Sequence, residues 1–182
     1  MKKIIYTAIY PFNKFIDRRL PEVIELFLGT DEKRRSIAIY KLLMDLESTY
    51  PDFYNWYNKR VINDLKMHRN NRNILFAVSM LNDNGKIKKR LTGIAIIKRN
   101  HQERKICTFR VFPDYQKQGV GTALLKMCFN YLETERPLIS ISEKSIGRFS
   151  AFIDKYNWTL CQILPGYYKK GITEYVFNGF LK

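Results

Sequence analysis

The chain has 182 residues, of which 46% are hydrophobic and 14% are aromatic, and it carries a net charge of +15 at pH 7. This composition excludes an intrinsically disordered chain, and the length fits a single domain over residues 1–182 with a full hydrophobic core. The charge favours acidic ligands such as RNA, DNA, anionic lipid or a nucleotide cofactor, although a basic surface also serves solubility alone.

The cysteines and the ends of the chain exclude several protein classes. Cys107, Cys128 and Cys161 are too few and too scattered for a disulfide framework, and no Cys-x-x-Cys pair occurs. We therefore predict no metal site, and we expect buried free thiols in a reducing compartment. The first apolar run ends at Pro11 without a cleavage site, and no segment has membrane-spanning length. These features predict a cytoplasmic protein without membrane contact.

The first seventy residues are predicted to form one strand followed by helices. β-branched residues favour a strand over Ile4–Tyr10, and apolar residues at helical spacing indicate helical segments over Phe12–Leu28 and Ser36–Leu46. Pro51 opens a further helix, whose aromatic residues have the spacing of a core face. The alternative for these aromatics is a platform that stacks nucleic-acid bases.

Three antiparallel strands are predicted next. They cover Ile74–Leu81, Arg90–Lys98 and Lys105–Phe112, and turns at Asn82–Gly85 and Asn100–Glu103 join them. The third of these strands leads directly into the stretch of the sequence that carries the most information about function.

That stretch consists of a strand, a glycine-containing loop and the start of a helix. After the break at Pro113, the loop Gln116–Gly121 is followed from Thr122 by apolar residues at helical spacing. The first amides of a helix have no partner inside it and carry the positive end of its dipole. Gly119 and Gly121 lack a Cβ atom, so a ligand can approach the backbone closely and φ can turn positive. A phosphate or pyrophosphate suits such a place.

The pattern Gln116-x-x-Gly119-x-Gly121, entered from Val111-Phe-Pro113, resembles the acetyl-coenzyme A (acetyl-CoA) loop of the GCN5-related N-acetyltransferases (GNAT). It lacks the Gly-Lys-Ser/Thr of nucleotide triphosphatases and the first glycine of the dinucleotide fingerprint. The resemblance implies an α/β (α+β) fold, with a mixed and mostly antiparallel sheet flanked by helices. The sheet is expected to splay between its two central parallel strands.

The remaining predicted elements agree with that fold. Leu138–Ser142 is expected beside the central strand, followed by a short helix over Gly147–Tyr156. Leu160–Leu164 and Tyr175–Leu181 are predicted as the last two strands. Final strands often take part in dimers in this family, so a homodimer is one expectation.

The resemblance also implies where acetyl-CoA binds as co-substrate, with no metal. Main-chain groups of Val111 and Phe112 would bind pantetheine, and the thioester would point between Phe109–Val111 and Ile139–Ile141. Lys117 and Gln118 could add a charge and an amide at the rim of the loop. The pyrophosphate would lie on the amides of Gln118, Gly119, Val120, Gly121 and Thr122.

The catalytic groups are less clear from the sequence. Family members often supply the leaving thiolate's proton from a tyrosine, and here Ile153 stands at that position. Tyr156 is the candidate general acid, with a packing role as its alternative. Other candidate acids are Ser145, Ser150 or a bound water. Candidate general bases near the cleft are Glu103 and Glu143.

The sequence therefore predicts an N-acetyltransferase that acts on a primary amine. Three acceptors stay open: a protein amine, a small polyamine or antibiotic, and the amino group of an aminoacyl-tRNA. The alternative is a non-catalytic module of the same fold that binds acyl-CoA or RNA. The departure at Ile153 favours this alternative, whereas the intact loop indicates that cofactor binding is retained.

Overall fold

The computed structural model describes residues 3–11, 32–67, 69 and 71–181. The strands are Lys3–Pro11 (β1), Asn73–Asp83 (β2), Lys86–Arg99 (β3), Arg104–Val111 (β4), Leu138–Ser142 (β5), Leu160–Pro165 (β6) and Thr173–Phe177 (β7). The α-helices are Glu32–Leu43 (α1), Phe53–Trp56 (α2), Asn63–Lys66 (α3), Val120–Leu132 (α4) and Ile146–Lys155 (α5). A π-helical segment, Tyr57–Ile62, joins α2 to α3. One 3₁₀ turn, Met44–Ser48, follows α1, and another, Pro113–Tyr115, follows β4.

The strands form one seven-stranded sheet in the order β1-β2-β3-β4-β5-β7-β6. The β4–β5 pair is parallel, and the other neighbouring pairs are antiparallel. This arrangement confirms the predicted α/β class, with a mixed and mostly antiparallel sheet flanked by helices and a parallel pair inside it.

Helices cover both faces of the sheet. The front face carries α1 to α3, where the buried Tyr57 packs in a cluster with Phe76 and Ile94 of the sheet. The back face carries α4 and α5, where Leu124 packs in a cluster with Ala95. Aromatic residues of the α2 region lie in the front cluster, so the core interpretation of their spacing is confirmed and they are not free to stack bases.

Several predicted boundaries shift. α4 begins at Val120, two residues before the predicted start at Thr122. The last strand ends at Phe177 and not at Leu181, because Asn178 adopts a positive φ of 62° and its side-chain amide donates to the Pro137 carbonyl. The predicted helical segment Phe12–Leu28 lies outside the described residues.

The three thiols differ in burial. Cys128 is fully buried on α4, and burial raises the pKa of its thiol. Cys107 and Cys161 are only partly buried, so the prediction of buried thiols is wrong for these two. All three cysteines are free.

A β-bulge sets the course of the central strand. The pairing of β3 with β4 skips one residue, because Ile96 lies opposite Thr108 whereas Ile97 lies opposite Ile106. Cys107 is therefore the extra residue of β4. A bulge bends the strand that contains it and increases its local twist.

Candidate active site

A gap opens between β4 and β5 immediately after the bulge. The two strands pair at Lys105 with Leu138 and at Ile106 with Ile139, and no pairing between them continues beyond this point. The gap therefore lies between 107–111 and 140–142. This splay between parallel strands was predicted, but Ile139 still belongs to the paired part and does not line the gap as expected.

The start of α4 lies on the back face beyond the end of β4. Its first internal bond runs from the Ala123 amide to the Gly119 carbonyl, at 3.1 Å. The three preceding amides, which belong to Val120, Gly121 and Thr122, have no partner inside the helix. The helix has no side-chain cap within the described residues. The amides and the helix dipole therefore form a suitable place for a bound anion.

The two glycines of the loop have different roles. Gly119 has φ +83°, is exposed, and a Cβ built on it would meet no atom within 4 Å. Gly121 lies in the first turn of the helix, and its φ is not positive. A Cβ at Gly121 would contact Val111 Cγ2 at 3.6 Å and Phe152 Cζ at 3.7 Å. The open space that a phosphate needs is thus found at Gly119.

Side chains of the loop hold its backbone in place. The Gln116 side-chain amide donates to the Val111 carbonyl at 3.1 Å, and the Gln118 amide donates to the Asp114 carbonyl at 2.8 Å. Lys117 is exposed and has φ +57°, a left-handed conformation that turns the chain toward Gly119. Gln116 and Gln118 thus position the loop from within, and Lys117 stands at its rim.

The predicted role of Phe112 needs correction. Its amide donates to the Thr92 carbonyl at 3.0 Å, and its carbonyl accepts from the Tyr115 amide at 2.9 Å. Both main-chain groups are therefore engaged within the protein. Because successive residues of a strand direct their main-chain groups to opposite sides, those of Val111 point toward the gap. Of the two residues predicted to bind pantetheine, Val111 is therefore the one whose main-chain groups are directed to the gap, and its carbonyl already accepts from Gln116.

Tyr156 lies at the end of α5 and packs against α4. Its ring meets Phe129 edge-on with a centroid distance of 4.8 Å, and Lys155 Nζ lies 5.5 Å from the ring centroid. Phe129 is eight residues beyond Gly121 on α4, which corresponds to about 12 Å along the helix axis. Ile153 is also packed in the back cluster. These contacts support the packing alternative for Tyr156.

The other candidate acids and bases lie in different places. Glu103 precedes β4 at the closed end of the gap, about 25 Å from Val111 along an extended strand, so its expected position near the cleft is wrong. Burial would raise the pKa of Glu103, but its ion pair with Lys98 lowers it overall. Glu143 follows β5 at the open end and is exposed. Ser145 accepts from Arg148, and Ser150 donates to the Gly147 carbonyl.

The sequence reasoning missed a cluster on the front face. Ser140 and Ser142 point to this face, because Ile139 and Ile141, which alternate with them along β5, pack on the back. Glu174 lies opposite Ser142 on β7 and is 1% exposed. The tyrosines Tyr50 and Tyr168 complete the cluster, with ring centroids 5.2 Å apart in an edge-on contact.

The Glu174 carboxylate is the unusual group in this cluster. Neither oxygen forms a hydrogen bond of good geometry with any described residue. Burial raises its pKa to about 7, which the nearby hydroxyls of Tyr50 and Ser140 reduce only in part. One signal in the sequence could have indicated this. Glu174 alternates with the buried Ile172 and Val176 and so lies on the same buried face, where an apolar residue is usual.

Two negative findings apply to the described part of the chain. It contains no group of three or more His, Cys, Asp or Glu side chains that could hold a metal ion. No helix within it is both long enough and apolar enough to cross a membrane.

Comparisons with known proteins agree with this geometry. A family model, the Acetyltransferase (GNAT) family, matches residues 20–143. No curated protein sequence gives a significant match. The crystal structure of Arabidopsis thaliana NAA60 in complex with acetyl-CoA has a TM-score of 0.56 at 13% identity, over 94% of this chain and 97% of that chain. A GNAT-family protein from Desulfovibrio desulfuricans has a TM-score of 0.54 at 14% identity over the same shares.

Identities this low establish a common fold and no more. The family model, however, covers more than half of the chain and includes β4, the glycine loop, α4 and β5. This chain therefore belongs to the GNAT acetyltransferase family.

Proposed function

We propose that the protein is an acetyl-CoA-dependent N-acetyltransferase that acts on the primary amine of an acceptor. One observation carries the proposal: the uncapped helix start at Gly119 stands beside the gap that opens after Ile106. The helix start can hold an anionic group on the back face, and the gap leads from there to the front face.

The residues present fit acetyl-CoA. The amides of Val120, Gly121 and Thr122 have no partner inside the helix and can receive the pyrophosphate, and the open space at Gly119 would admit it close to the backbone. The main-chain groups of Val111 are in place beside the gap for pantetheine. When bound, acetyl-CoA supplies an acyl thioester, which is an activated acetyl donor. The complex of NAA60 with acetyl-CoA supports this assignment.

The acceptor belongs to one of three classes: a protein amine, a small polyamine or antibiotic, or the amino group of an aminoacyl-tRNA. The net charge of +15 favours an acceptor linked to a polyanion, because such a surface attracts nucleic acid. In every class the amine has to lose its proton before it can attack a carbonyl carbon.

A second candidate function is that of an acyl-CoA-binding or RNA-binding module without turnover. Ile153 favours this candidate, because an aliphatic side chain packed in the back cluster cannot donate a proton. It predicts that acetyl-CoA protects the protein against heating while no product forms.

Release of free thiol separates the two functions. Purified protein would be incubated with acetyl-CoA and, in parallel, with spermidine, an aminoglycoside, a peptide that has a free α-amino group and a lysine, and aminoacylated tRNA. Amine-dependent thiol release, with acetylated product seen by mass spectrometry, supports the acetyltransferase. Thermal protection by acetyl-CoA without thiol release from any of these amines supports the binding module.

A further inference from the structure

A large concave region lies at the closed end of the gap, away from the glycine loop. It has a volume of about 1140 Å³, and it is lined by the β3–β4 turn, the starts of β4 and β5, the residues after α4 and β7, and the β6–β7 loop. We call it the distal groove, and the lining residues that matter here are Arg104, Lys105, Glu133, Arg136, Tyr167 and Phe180. The 13 residues of α4 run from the glycine loop to this groove, so the two sites are about 20 Å apart along the helix axis.

The lining of the distal groove carries a net positive charge. It contains four Arg or Lys side chains and two Glu side chains, so its net charge is +2 when its histidine is neutral. Both carboxylates already have cationic partners. Glu103 pairs with Lys98, which lies outside the lining, and Glu133 pairs with Arg99. The negative charges of the groove are therefore compensated.

Two of the arginines have a structural role at the C-terminal end of α4. Arg99 donates to the Tyr131 carbonyl at 3.3 Å, and Arg104 donates to the Glu133 carbonyl at 2.8 Å. Carbonyls at this end have no partner inside a helix and carry the negative end of its dipole. These bonds explain both arginines without a ligand, and they weaken the negative potential that would repel an anion from the groove.

Lys105 and Arg136 have no such role. Neither forms an ion pair with any residue in the described part of the chain, and Arg136 donates only to the Thr159 hydroxyl there. Lys105 lies opposite Leu138 where β4 and β5 pair, and Arg136 stands two residues before Leu138. Two cations without anionic partners therefore stand at the same end of the sheet, where they attract anionic groups.

Aromatic rings line the same groove. Phe180 is 66% exposed and Tyr167 is 46% exposed, and the Tyr167 ring meets Tyr168 edge-on at a centroid distance of 4.7 Å. Unpaired bases stack on exposed aromatic rings whatever the identity of the base, while nearby cations bind the phosphates of the strand. The distal groove offers both kinds of group.

The size of the groove favours a polymer over a small anion. Pockets for small molecules usually have volumes of roughly 300 to 1,000 Å³, and the distal groove exceeds this range. An acidic peptide would use the cations and leave the rings without a partner. A nucleic-acid duplex hides the faces of its bases, so it would do the same.

We propose that the distal groove binds a segment of single-stranded nucleic acid, with phosphates on Lys105 and Arg136 and unpaired bases stacked on Tyr167 and Phe180. The proposal does not depend on acetyltransferase activity. It assigns part of the net charge of +15 to a defined place in the fold. Because the glycine loop lies at the other end of α4, the strand and acetyl-CoA can bind at the same time.

The first test measures the contribution of the two cations. A labelled oligonucleotide of about 12 nucleotides, made as RNA and as DNA, would be titrated by fluorescence anisotropy at salt concentrations from about 50 to about 200 mM, without acetyl-CoA. We expect K105Q/R136Q to weaken binding at least about tenfold and to lower the slope of log affinity against log salt by about 1.4, since two phosphate contacts are lost. R136Q alone, at an exposed position, should lower the slope by about 0.7.

The matched control is K86Q/K89Q, which removes the same charge from exposed positions on the β2–β3 hairpin. We expect its salt slope and affinity to equal those of wild type. Equal losses in the two double variants would assign binding to net charge alone, and absence of binding by wild type would equally overturn the proposal. With the groove confirmed by these variants, the probe that binds more tightly identifies the strand as RNA or DNA.

The second test measures stacking. Y167A and F180A would be titrated with the same oligonucleotide and with an abasic one of equal length. We expect each variant to lose about fivefold or more in affinity for the normal strand and none for the abasic strand. Equal losses on both strands would overturn the stacking. Sedimentation would be measured in the same buffer, and if F180A dissociates a wild-type dimer at unchanged affinity, Phe180 belongs to a contact between copies and the assignment fails.

The third test separates the groove from the cofactor loop. The wild-type titration would be repeated with millimolar acetyl-CoA, and we expect the affinity for the strand to change by less than about twofold, because the sites lie farther apart than the screening length. Displacement of the strand would place it on the glycine loop and overturn the proposal. If acetyl-CoA itself does not bind, the proposed function fails, and the first two tests still decide the distal groove.

Discussion

The Gln116 side chain donates a hydrogen bond to the Val111 carbonyl at 3.1 Å, and so ties the glycine loop to the end of the central strand. The 3₁₀ turn Pro113–Tyr115 lies between the two residues and brings Gln116 back to the end of the strand. This bond fixes where α4 begins relative to the gap. The glutamine of the loop pattern therefore braces the loop against the end of β4.

Gly119 is the position of the loop where a side chain should interfere most with binding. A Cβ there would project into open space beside the uncapped amides and would strain a backbone at φ +83°. We expect Gly119→Ala to weaken acetyl-CoA binding by at least about tenfold, or about 1.4 kcal/mol, in calorimetry. Gly85→Ala is the matched control, because Gly85 has φ +81° and equally open surroundings at the tip of the β2–β3 hairpin. Equal losses in both variants would show that backbone strain alone is responsible, and the loop assignment would fail.

Gly93 should matter for stability and not for ligand contact. A Cβ on Gly93 would lie 2.9 Å from the Arg110 carbonyl oxygen, which belongs to the backbone of β4 and cannot yield easily. We expect Gly93→Ala to lower the free energy of unfolding by about 1 to 3 kcal/mol in denaturant titrations. Gly147→Ala, in the first turn of α5 with no atom within 4 Å of the new Cβ, should be neutral or slightly stabilising. If Gly93→Ala leaves the free energy of unfolding unchanged, β3 and β4 can move apart at that point without loss of stability.

Tyr156→Phe removes the hydroxyl while it keeps the ring that packs against Phe129. We expect the variant to retain acetyl-CoA affinity and to change turnover by less than about twofold, since general acid catalysis typically contributes far more than this. Turnover would be measured by thiol release with the best amine of the screen. A fall of tenfold or more at unchanged affinity would reassign the general acid to Tyr156.

The polyanion hypothesis has its own test. If RNA is a partner, the protein's affinity for total tRNA should fall on the order of 1,000-fold between about 50 and about 200 mM salt. The reason is that phosphates release their counterions when the protein binds them. The measurement is a fluorescence anisotropy titration at several salt concentrations. A flat salt response would assign the net charge of +15 to solubility.

The features that could be predicted from the sequence are local ones. Each of these features has a distinct residue pattern within a short stretch of sequence. They are strand β4, the break at Pro113, the two glycines of the loop and the apolar spacing of α4. The same holds for the turn at Asn82–Gly85, where Gly85 has a positive φ. Only the detail differed: Gly121 belongs to the helix, where a Cβ would make ordinary contacts with Val111 and Phe152.

The features that were missed depend on contacts between distant segments. Glu174 becomes unusual only when β7 pairs with β5 and Tyr50 comes from the other half of the chain. Likewise, the bulge at Cys107 is defined by the register of β3 against β4, and nothing in the surrounding residues marks it. Glu103 was expected near the cleft because it adjoins the central strand, but the sequence does not say at which end that strand parts from β5.

A calorimetric titration of the purified, desalted wild-type protein with acetyl-CoA tests the proposed cofactor site directly. The uncapped amides at Gly119 and the gap after Ile106 predict one site per chain with a Kd on the order of micromolar to tens of micromolar. Absence of binding up to millimolar acetyl-CoA would contradict the proposed function, because it would mean that this loop does not hold the cofactor.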